Sequence, residues 1–235
     1  QFNTIRLWGT AGWIASAWFF SFLWLDRPDG SVGDALRFTA MVCVLLGLYA
    51  FSLVPKAQEG PRRRELIPRA ALRLLMQPKV LVVALVGLVV QLVDKYYYFG
   101  TGPFLDAIGV PESVIMPAMS IGQATELLSM LAMAALLARF SYRRMMLLGI
   151  VMELLRFLFL IFSALTGNAL FAYVGIAFHG PAFAFFFTTA FIYVDSFTDS
   201  ESRAGMQQLF NLFTMGVGNF LGSMFAGGVF DLVAV

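Results

Sequence analysis

Histidine and cysteine are nearly missing from this sequence, which contains one residue of each among 235. A single cysteine, Cys43, excludes a disulfide or a set of thiolate metal ligands within the chain. The motifs of zinc hydrolases (His-Glu-x-x-His), serine hydrolases (Gly-x-Ser-x-Gly) and phosphate-binding loops (Gly-Lys-Ser/Thr) are missing as well. We therefore predict no metal site, no cofactor and no enzymatic activity.

Charge is also scarce, because 13% of the residues are charged while 60% are hydrophobic, including 25 Phe. A soluble domain of this size would have too little polar surface to stay dissolved. The net charge of +2 is too small to indicate a nucleic-acid partner. The composition predicts an integral membrane protein whose first partner is the lipid bilayer.

Long hydrophobic runs follow one another along the chain, and about 20 apolar residues suffice to cross a bilayer as a helix. Backbone groups in hydrocarbon must be hydrogen-bonded internally, so each run is expected to be helical. The fold class is therefore all-α, with about seven transmembrane helices. The predicted spans are about 8–25, 35–54, 79–99, 112–138, 145–165, 168–194 and 204–233.

Most of the 16 Lys and Arg residues fall in segments that share one side if the N-terminal end is cytoplasmic. This bias is typical of cytoplasmic loops and predicts that orientation. Segment 55–78 carries a basic cluster followed by apolar residues interleaved with Arg69 and Arg73. It predicts an amphipathic helix on the inner membrane surface, or alternatively a solvated basic loop. It divides the chain into 1–54 with two spans, the linker 55–78, and 79–235 with five.

Polar residues inside the spans are costly, so each requires a partner, a water-filled cavity or a function. Gln91, Asp94, Lys95 and Tyr98 recur at helical spacing on one face of the third span. A polar face of this kind indicates a cavity. The alternative is that Asp94 and Lys95 lie near the outer membrane surface and extend toward the headgroups.

Gln123 and Glu126 lie three residues apart in the fourth span and predict a second polar stripe. A carboxylate at membrane depth pairs with a cation or takes up a proton, so Glu126 and Asp94 are candidates for proton coupling. A structural hydrogen bond between helices is the alternative for this stripe. In the fifth span, Glu153 and Arg156 are spaced to compensate each other within one helix.

The sixth span is interrupted by His179-Gly180-Pro181, where proline removes a backbone donor and predicts a kink or break. Broken helices at membrane depth commonly line a cavity, which makes His179 a candidate site residue. Phe183 begins an aromatic run that could stack on a flat ring or pack in the core. In the last span, Gly218, Gly222 and Ala226 predict close helix packing.

Five strings occur together in the order of a known family. They are Ile5-Arg6-Leu7-Trp8-Gly9-Thr10-Ala11-Gly12-Trp13, Gln123-Ala124-Thr125-Glu126, Leu154-Leu155-Arg156-Phe157, His179-Gly180 with Phe183-Ala184-Phe185-Phe186, and Arg203-Ala204-Gly205-Met206-Gln207. The chain resembles the nucleoside:proton symporter family of the major facilitator superfamily. The resemblance aligns the first span with the family's fifth helix and the last with its eleventh. It implies a transporter fragment whose partners include the missing helices.

The resemblance also implies the substrate contacts. Matched by position, the substrate contacts of the family correspond to Arg6 and Thr10, to Trp13 at an aromatic site, and to Gln123 and Glu126. Further positions are less direct: Lys95 and Tyr98 fall where the family has two amide-bearing contacts, His179 where a tyrosine is common, and Phe183 where a phenylalanine is expected. Ala184 departs from the pattern, because an aspartate is frequent there.

The leading hypothesis is a secondary transporter of the bacterial inner membrane that takes up nucleosides or similar polar small molecules with protons. A transporter of another solute, such as a sugar, is the alternative within the same fold. A seven-helix receptor is a second alternative, although the predicted N-terminal orientation opposes it. A membrane scaffold without transport activity is a third.

Overall fold

A computed structural model describes residues 2–25, 31–53, 69–199 and 202–233. Within these ranges the chain is helical and contains no strand. The helices are α1 (Phe2–Trp18, continued by a π-helical turn Phe19–Leu25), α2 (Val32–Ser52), α3 (Arg69–Leu75), α4 (Pro78–Ala107), α5 (Glu112–Leu137), α6 (Tyr142–Thr166), α7 (Ala169–Ala177), α8 (His179–Phe183, continued by a π-helical turn Ala184–Thr188), α9 (Thr189–Asp195), α10 (Arg203–Asn211, continued by a π-helical turn Leu212–Val217) and α11 (Gly218–Val233).

Six of the seven predicted spans are confirmed as helices long and apolar enough to cross a membrane. Two of them are composite: α7 to α9 form the span Ala169–Asp195, and α10 to α11 form the span Arg203–Val229. The first predicted span coincides with α1 and its π-helical turn, where the described apolar stretch Ala11–Trp24 is shorter than a full span. The all-α membrane fold predicted from composition is confirmed.

The helix ends follow from local sequence. Pro78 stands at the start of α4, where its missing N–H costs nothing. After α6, Gly167 adopts a left-handed conformation with φ 67°, which a residue without Cβ accepts readily. Asn168 then caps α7, because its side-chain oxygen accepts a hydrogen bond of 2.9 Å from the Leu170 N–H. This tight connection makes α6 and α7 antiparallel neighbours.

Helix α3 packs against the protein. Its Ala71 and Leu75 are buried with residues of α4, α9 and α10, whereas Arg69 and Arg73 are exposed. The predicted amphipathic pattern is therefore present in this helix, but its apolar side contacts other helices rather than being left for lipid. Residues 55–68 of the linker lie outside the described residues, and the division of the chain at 55–78 stays a prediction.

Candidate functional site

A polar cavity of about 450 Å³ opens between α1, α4, α5, α8 and α11. Its volume lies in the range of small-molecule sites. The residues that line it combine charges, amides and aromatic rings. They are Gly9, Trp13, Gln91, Asp94, Lys95, Tyr98, Gln123, Glu126, His179, Phe183 and Asn219.

Helix α4 contributes the polar face predicted from its spacing. Gln91, Asp94, Lys95 and Tyr98 all line the cavity, which confirms that this face points inward. Gln91 Nε2 donates a hydrogen bond of 2.7 Å to Asn219 Oδ1 of α11. Gln91 Oε1 is buried and has no hydrogen-bond partner among the described residues.

Helix α5 presents Gln123 and Glu126 to the same cavity. Gln123 Nε2 donates to Tyr98 Oη at 2.9 Å, which joins the two polar stripes predicted separately from the sequence. The backbone of α5 at Glu126 lies so close to Gly180 that a Cβ there would overlap it. Glycine at position 180 therefore permits α8 to approach α5 and brings His179 beside the cavity.

The break in the sixth span has a physical cause. Pro181 has no N–H to donate to Ala177 O four residues earlier, and α7 ends at Ala177. The Thr125 hydroxyl lies 2.8 Å from Ala177 O and 2.9 Å from Gly122 O, so a side chain from α5 supplies a donor near the carbonyl that proline leaves unpaired. The break predicted at His179-Gly180-Pro181 is confirmed.

A cluster of buried charges surrounds Arg156, whose side chain is fully buried. Its Nη1 donates to Asp94 Oδ1 at 2.8 Å, and its Nη2 donates to Glu153 Oε1. The guanidinium also lies 4.0 Å from the centroid of the Tyr97 ring. The predicted compensation of Glu153 by Arg156 is confirmed, but the same cation pairs with Asp94 as well, so Asp94 is not exposed at the membrane surface.

His179 connects this charge cluster to the cavity. Its Nδ1 lies 2.7 Å from Arg156 Nη1 and 3.2 Å from Asp94 Oδ1, while its Nε2 lies 2.9 Å from Tyr98 Oη. The imidazole also stacks on the Tyr97 ring at 5.4 Å between centroids. Because Tyr98 Oη also accepts from Gln123, an unbroken chain of hydrogen bonds joins the buried arginine to a residue of α5.

The structure brings together most of the predicted site residues. Trp13, Lys95, Tyr98, Gln123, Glu126, His179 and Phe183 line one cavity, together with the proton-coupling candidate Asp94. Arg6 and Thr10 lie on α1, but their side chains are outside the described residues. No group of three acidic, histidine or cysteine side chains in the described ranges is arranged to hold a metal ion.

Sequence reasoning missed three features of the site. Asn219 lies between the packing glycines of α11, and nothing in its own span indicated that it faces Gln91. Arg156 was paired with Glu153 alone, because an i, i+3 partner can be found from the sequence whereas partners on α4 and α8 cannot. Gln91 was placed on the correct face, but it was not proposed as a site residue.

The family to which the chain belongs identifies the kind of protein that contains this cavity. The sequence model described as Nucleoside H+ symporter matches residues 1–235. The chain belongs to this family. The resemblance noted from the five strings is thereby confirmed, and the chain is a multi-pass membrane protein of a transporter family rather than an enzyme.

Curated relatives agree with the Nucleoside H+ symporter family. The chain is 31% identical to YegT, a candidate nucleoside transporter of Escherichia coli (strain K12), over 97% of this chain and 55% of the relative. It is 28% identical to the xanthosine permease of the same organism (100% and 58%) and 26% identical to its nucleoside permease NupG (99% and 58%). The chain thus spans little more than half the length of these relatives. No solved structure matches it significantly.

Proposed function

We propose that this chain provides part of the substrate pathway of a secondary active transporter that takes up nucleosides, or similar polar small molecules, together with protons. Membership of the Nucleoside H+ symporter family and the names of the relatives support the substrate class. The observation that carries the proposal is the polar cavity between α1 and helices α4, α5, α8 and α11. Alternating access would expose this cavity to each side of the membrane in turn.

The two chemistries of a nucleoside match the two kinds of lining residue. Ribose hydroxyls suit Gln123 and Glu126, because amide and carboxylate oxygens accept hydrogen bonds from them. A planar base suits the faces of Trp13 and Phe183, which line the same cavity. Lys95, whose Nζ lies 5.8 Å from the centroid of the Tyr98 ring, adds a cation that can donate to a substrate oxygen. Arg6 and Thr10 complete the proposed contact set on α1.

The amide pair Gln91 and Asn219 lies at the cavity. Gln91 Nε2 is engaged with Asn219 Oδ1, which leaves the Asn219 amide nitrogen as a donor, whereas the buried Gln91 Oε1 can accept only after its side chain turns toward the cavity. We propose that this pair contacts the polar edge of the base. Gln91→Met, which keeps the length and removes both amide functions, should weaken binding of the nucleoside and leave free ribose unaffected as a competitor.

The proposed setting is the bacterial inner membrane with the N-terminal end of this chain in the cytoplasm. Basic residues support this orientation: Arg139, Arg143 and Arg144 cluster in and after the short turn between α5 and α6, on the side proposed to be cytoplasmic. The division into 1–54, the linker 55–78 and 79–235 is kept as part of the proposal. It assigns the cavity to the interface between α1 of the first part and the helices of the third.

Uptake of labelled uridine by the full-length protein in proteoliposomes, with and without an inward proton gradient, tests the function. We expect saturable uptake that the gradient drives and that other nucleosides, but not sugars, compete away. Glu126→Gln should weaken substrate binding by about tenfold or more, because a hydrogen bond to a charged group is lost. Glu112→Gln, the same change at an exposed position on the same helix, is the matched control.

The outcomes separate the alternatives. If a sugar inhibits uptake and nucleosides have no effect, the proposed substrate class is wrong, but the protein is still a transporter. Folded protein that shows no saturable uptake of either would overturn the proposed function. If uptake by Glu126→Gln no longer responds to the gradient, Glu126 takes part in proton coupling as well as in substrate binding.

A further inference from the structure

The charges in the cluster around Arg156 do not cancel. Asp94, Glu153 and Arg156 are each more than nine-tenths buried, and so is His179. With both carboxylates ionised and the imidazole neutral, these four contacting groups carry one net negative charge. A net charge at membrane depth is costly, and one added proton would make the cluster neutral. The composition of the cluster therefore favours binding one proton.

Arginine determines which nitrogen of His179 is free to accept that proton. A guanidinium has only donors, so Arg156 Nη1 at 2.7 Å requires a lone pair on Nδ1 of the neutral ring. The ring hydrogen then lies on Nε2, where it donates to Tyr98 Oη at 2.9 Å. The contact with Arg156 therefore favours the tautomer of the neutral ring whose basic nitrogen is directed into the charge cluster.

We propose that His179 Nδ1 is a proton-binding site and that protonation exchanges its contact with Arg156 for one with Asp94. The added proton turns Nδ1 from an acceptor into a donor, so it can no longer accept from Arg156 Nη1. Asp94 Oδ1 lies 3.2 Å from Nδ1 and accepts the new N–H. Arg156 keeps its contacts with Asp94 and Glu153. The use of this proton in transport rests on the proposed function, whereas the proton site itself does not.

The imidazole lies among one cation, two carboxylates and two tyrosines. Asp94, Tyr97 and Tyr98 face it from α4, and Glu153 and Arg156 belong to the same cluster on α6. Glu126 of α5 lines the adjoining cavity with Lys95, and these two opposite charges add no net charge there. Among these neighbours Arg156 is the cation in direct contact with the ring, and two carboxylates face that cation.

The position of His179 lets its charge act on the fold. His179 is the first residue of α8, directly after the break that Pro181 causes, and α8 packs against both α5 and α6. Two cations facing each other across the present 2.7 Å would repel, so the protonated ring should shift away from Arg156 toward Asp94. A small displacement at a helix break is the kind of two-state element that a proton can bias.

Nitrogen-15 NMR of the histidine-labelled full-length protein in nanodiscs tests the site without any substrate. His179→Gln identifies the signal, because that signal disappears in the variant. We expect the neutral ring to carry its hydrogen on Nε2 and the ring to become doubly protonated when the pH is lowered. A neutral ring with its hydrogen on Nδ1, or a ring that stays singly protonated as long as the protein remains folded, would overturn the proposal.

Two variants locate the proton in the cluster. Glu153→Gln removes one negative charge, so we expect less proton binding by His179 at any given pH than in the wild type. Glu112→Gln, the same change at an exposed position outside the cavity, should leave the histidine titration in place. An equal effect of the two variants on the titration would show that the overall charge of the protein, and not the cluster, controls His179, and it would overturn the proposal.

Transport then tests the use of the proton. In proteoliposomes we expect the His179→Gln variant to lose accumulation of substrate driven by the proton gradient, because glutamine can mimic only the neutral ring. Accumulation is measured relative to the variant's own rate of substrate exchange, so a lower absolute rate does not affect the comparison. Accumulation driven as in the wild type would overturn the coupling role. If the wild type transports no nucleoside but the NMR titration is as expected, the proposed function fails and the proton site stands.

Discussion

Helix α4 contacts its neighbours through different kinds of interaction on its two sides. Toward α11, Gly218 and Gly222 allow the two backbones to approach closely: a Cβ on Gly222 would lie 2.7 Å from Lys95 Cβ. Toward α6 and α8, Asp94 reaches Arg156 and His179 through buried ion pairs and hydrogen bonds. The α4–α11 interface therefore depends on close packing, whereas the contact of α4 with α6 and α8 depends on ion pairs and hydrogen bonds.

The difference shows what each interface can tolerate. Apolar surface gains little from helix association within lipid, so the α4–α11 contact depends on close packing and should be sensitive to volume. The contact of α4 with α6 and α8 depends on charges that compensate one another, and it should be sensitive to removal of a single partner. Substitutions on the two sides can therefore test the comparison directly.

Arg156→Met should have the largest effect. It leaves the carboxylates of Asp94 and Glu153 buried without their cation, which costs about 3–5 kcal/mol in the free energy of unfolding. Thermal unfolding of the purified full-length protein measures the change. Arg144→Met, at an exposed position in the first turn of α6, is the control. Equal stability of the two variants would contradict the role given to the cluster.

Gly222→Leu should come next, because its side chain would have to displace Lys95 or the backbone of α4 at Leu92. Overpacking of this kind costs about 1–3 kcal/mol. Gly227→Leu adds the same side chain on the same helix where nothing lies within 4 Å of the new Cβ. The same unfolding measurement compares the two variants. A larger loss of stability in Gly227→Leu than in Gly222→Leu would refute the role given to close packing between α4 and α11.

Tyr98→Phe should have the smallest effect on stability. It removes only the hydroxyl that bonds to His179 and Gln123, at a cost of about 1 kcal/mol, and keeps the ring. Tyr142→Phe at the exposed start of α6 is the matched change. If Tyr98→Phe destabilises as much as Arg156→Met, the hydrogen bonds through Tyr98, and not the ion pairs, hold this side of α4.

Much of the fold could be predicted because the bilayer imposes simple rules. Spans of sufficient length and apolarity must be helical, and six of them are present as expected. The break at Pro181 and the packing role of Gly218 and Gly222 follow equally from the chemistry of single residues. The contact of α3 with α10 could not be predicted, because an amphipathic helix packs as well on protein as on a membrane surface.

The candidate site was predictable one helix at a time. Periodicity placed Gln91, Asp94, Lys95 and Tyr98 on one face, and Gln123 with Glu126 on another, but it could not show that Gln123 bonds to Tyr98. The break at Pro181 indicated His179, and the family resemblance added Trp13 and supported Phe183; all three line the same cavity. Asn219 was not found, since an amide in a glycine-rich span gives no signal of its direction.

The sequence by itself determined the solvent, the helical class and the polar face of each span, because hydropathy, helical period and proline chemistry act within a single segment. It also determined the family. Only the tertiary structure decided that Asp94 of α4 and His179 of α8 join Glu153 at Arg156 of α6. The physical reason is that the partner of a buried charge depends on how whole helices cross, and helix crossing is set by packing between residues far apart in the chain.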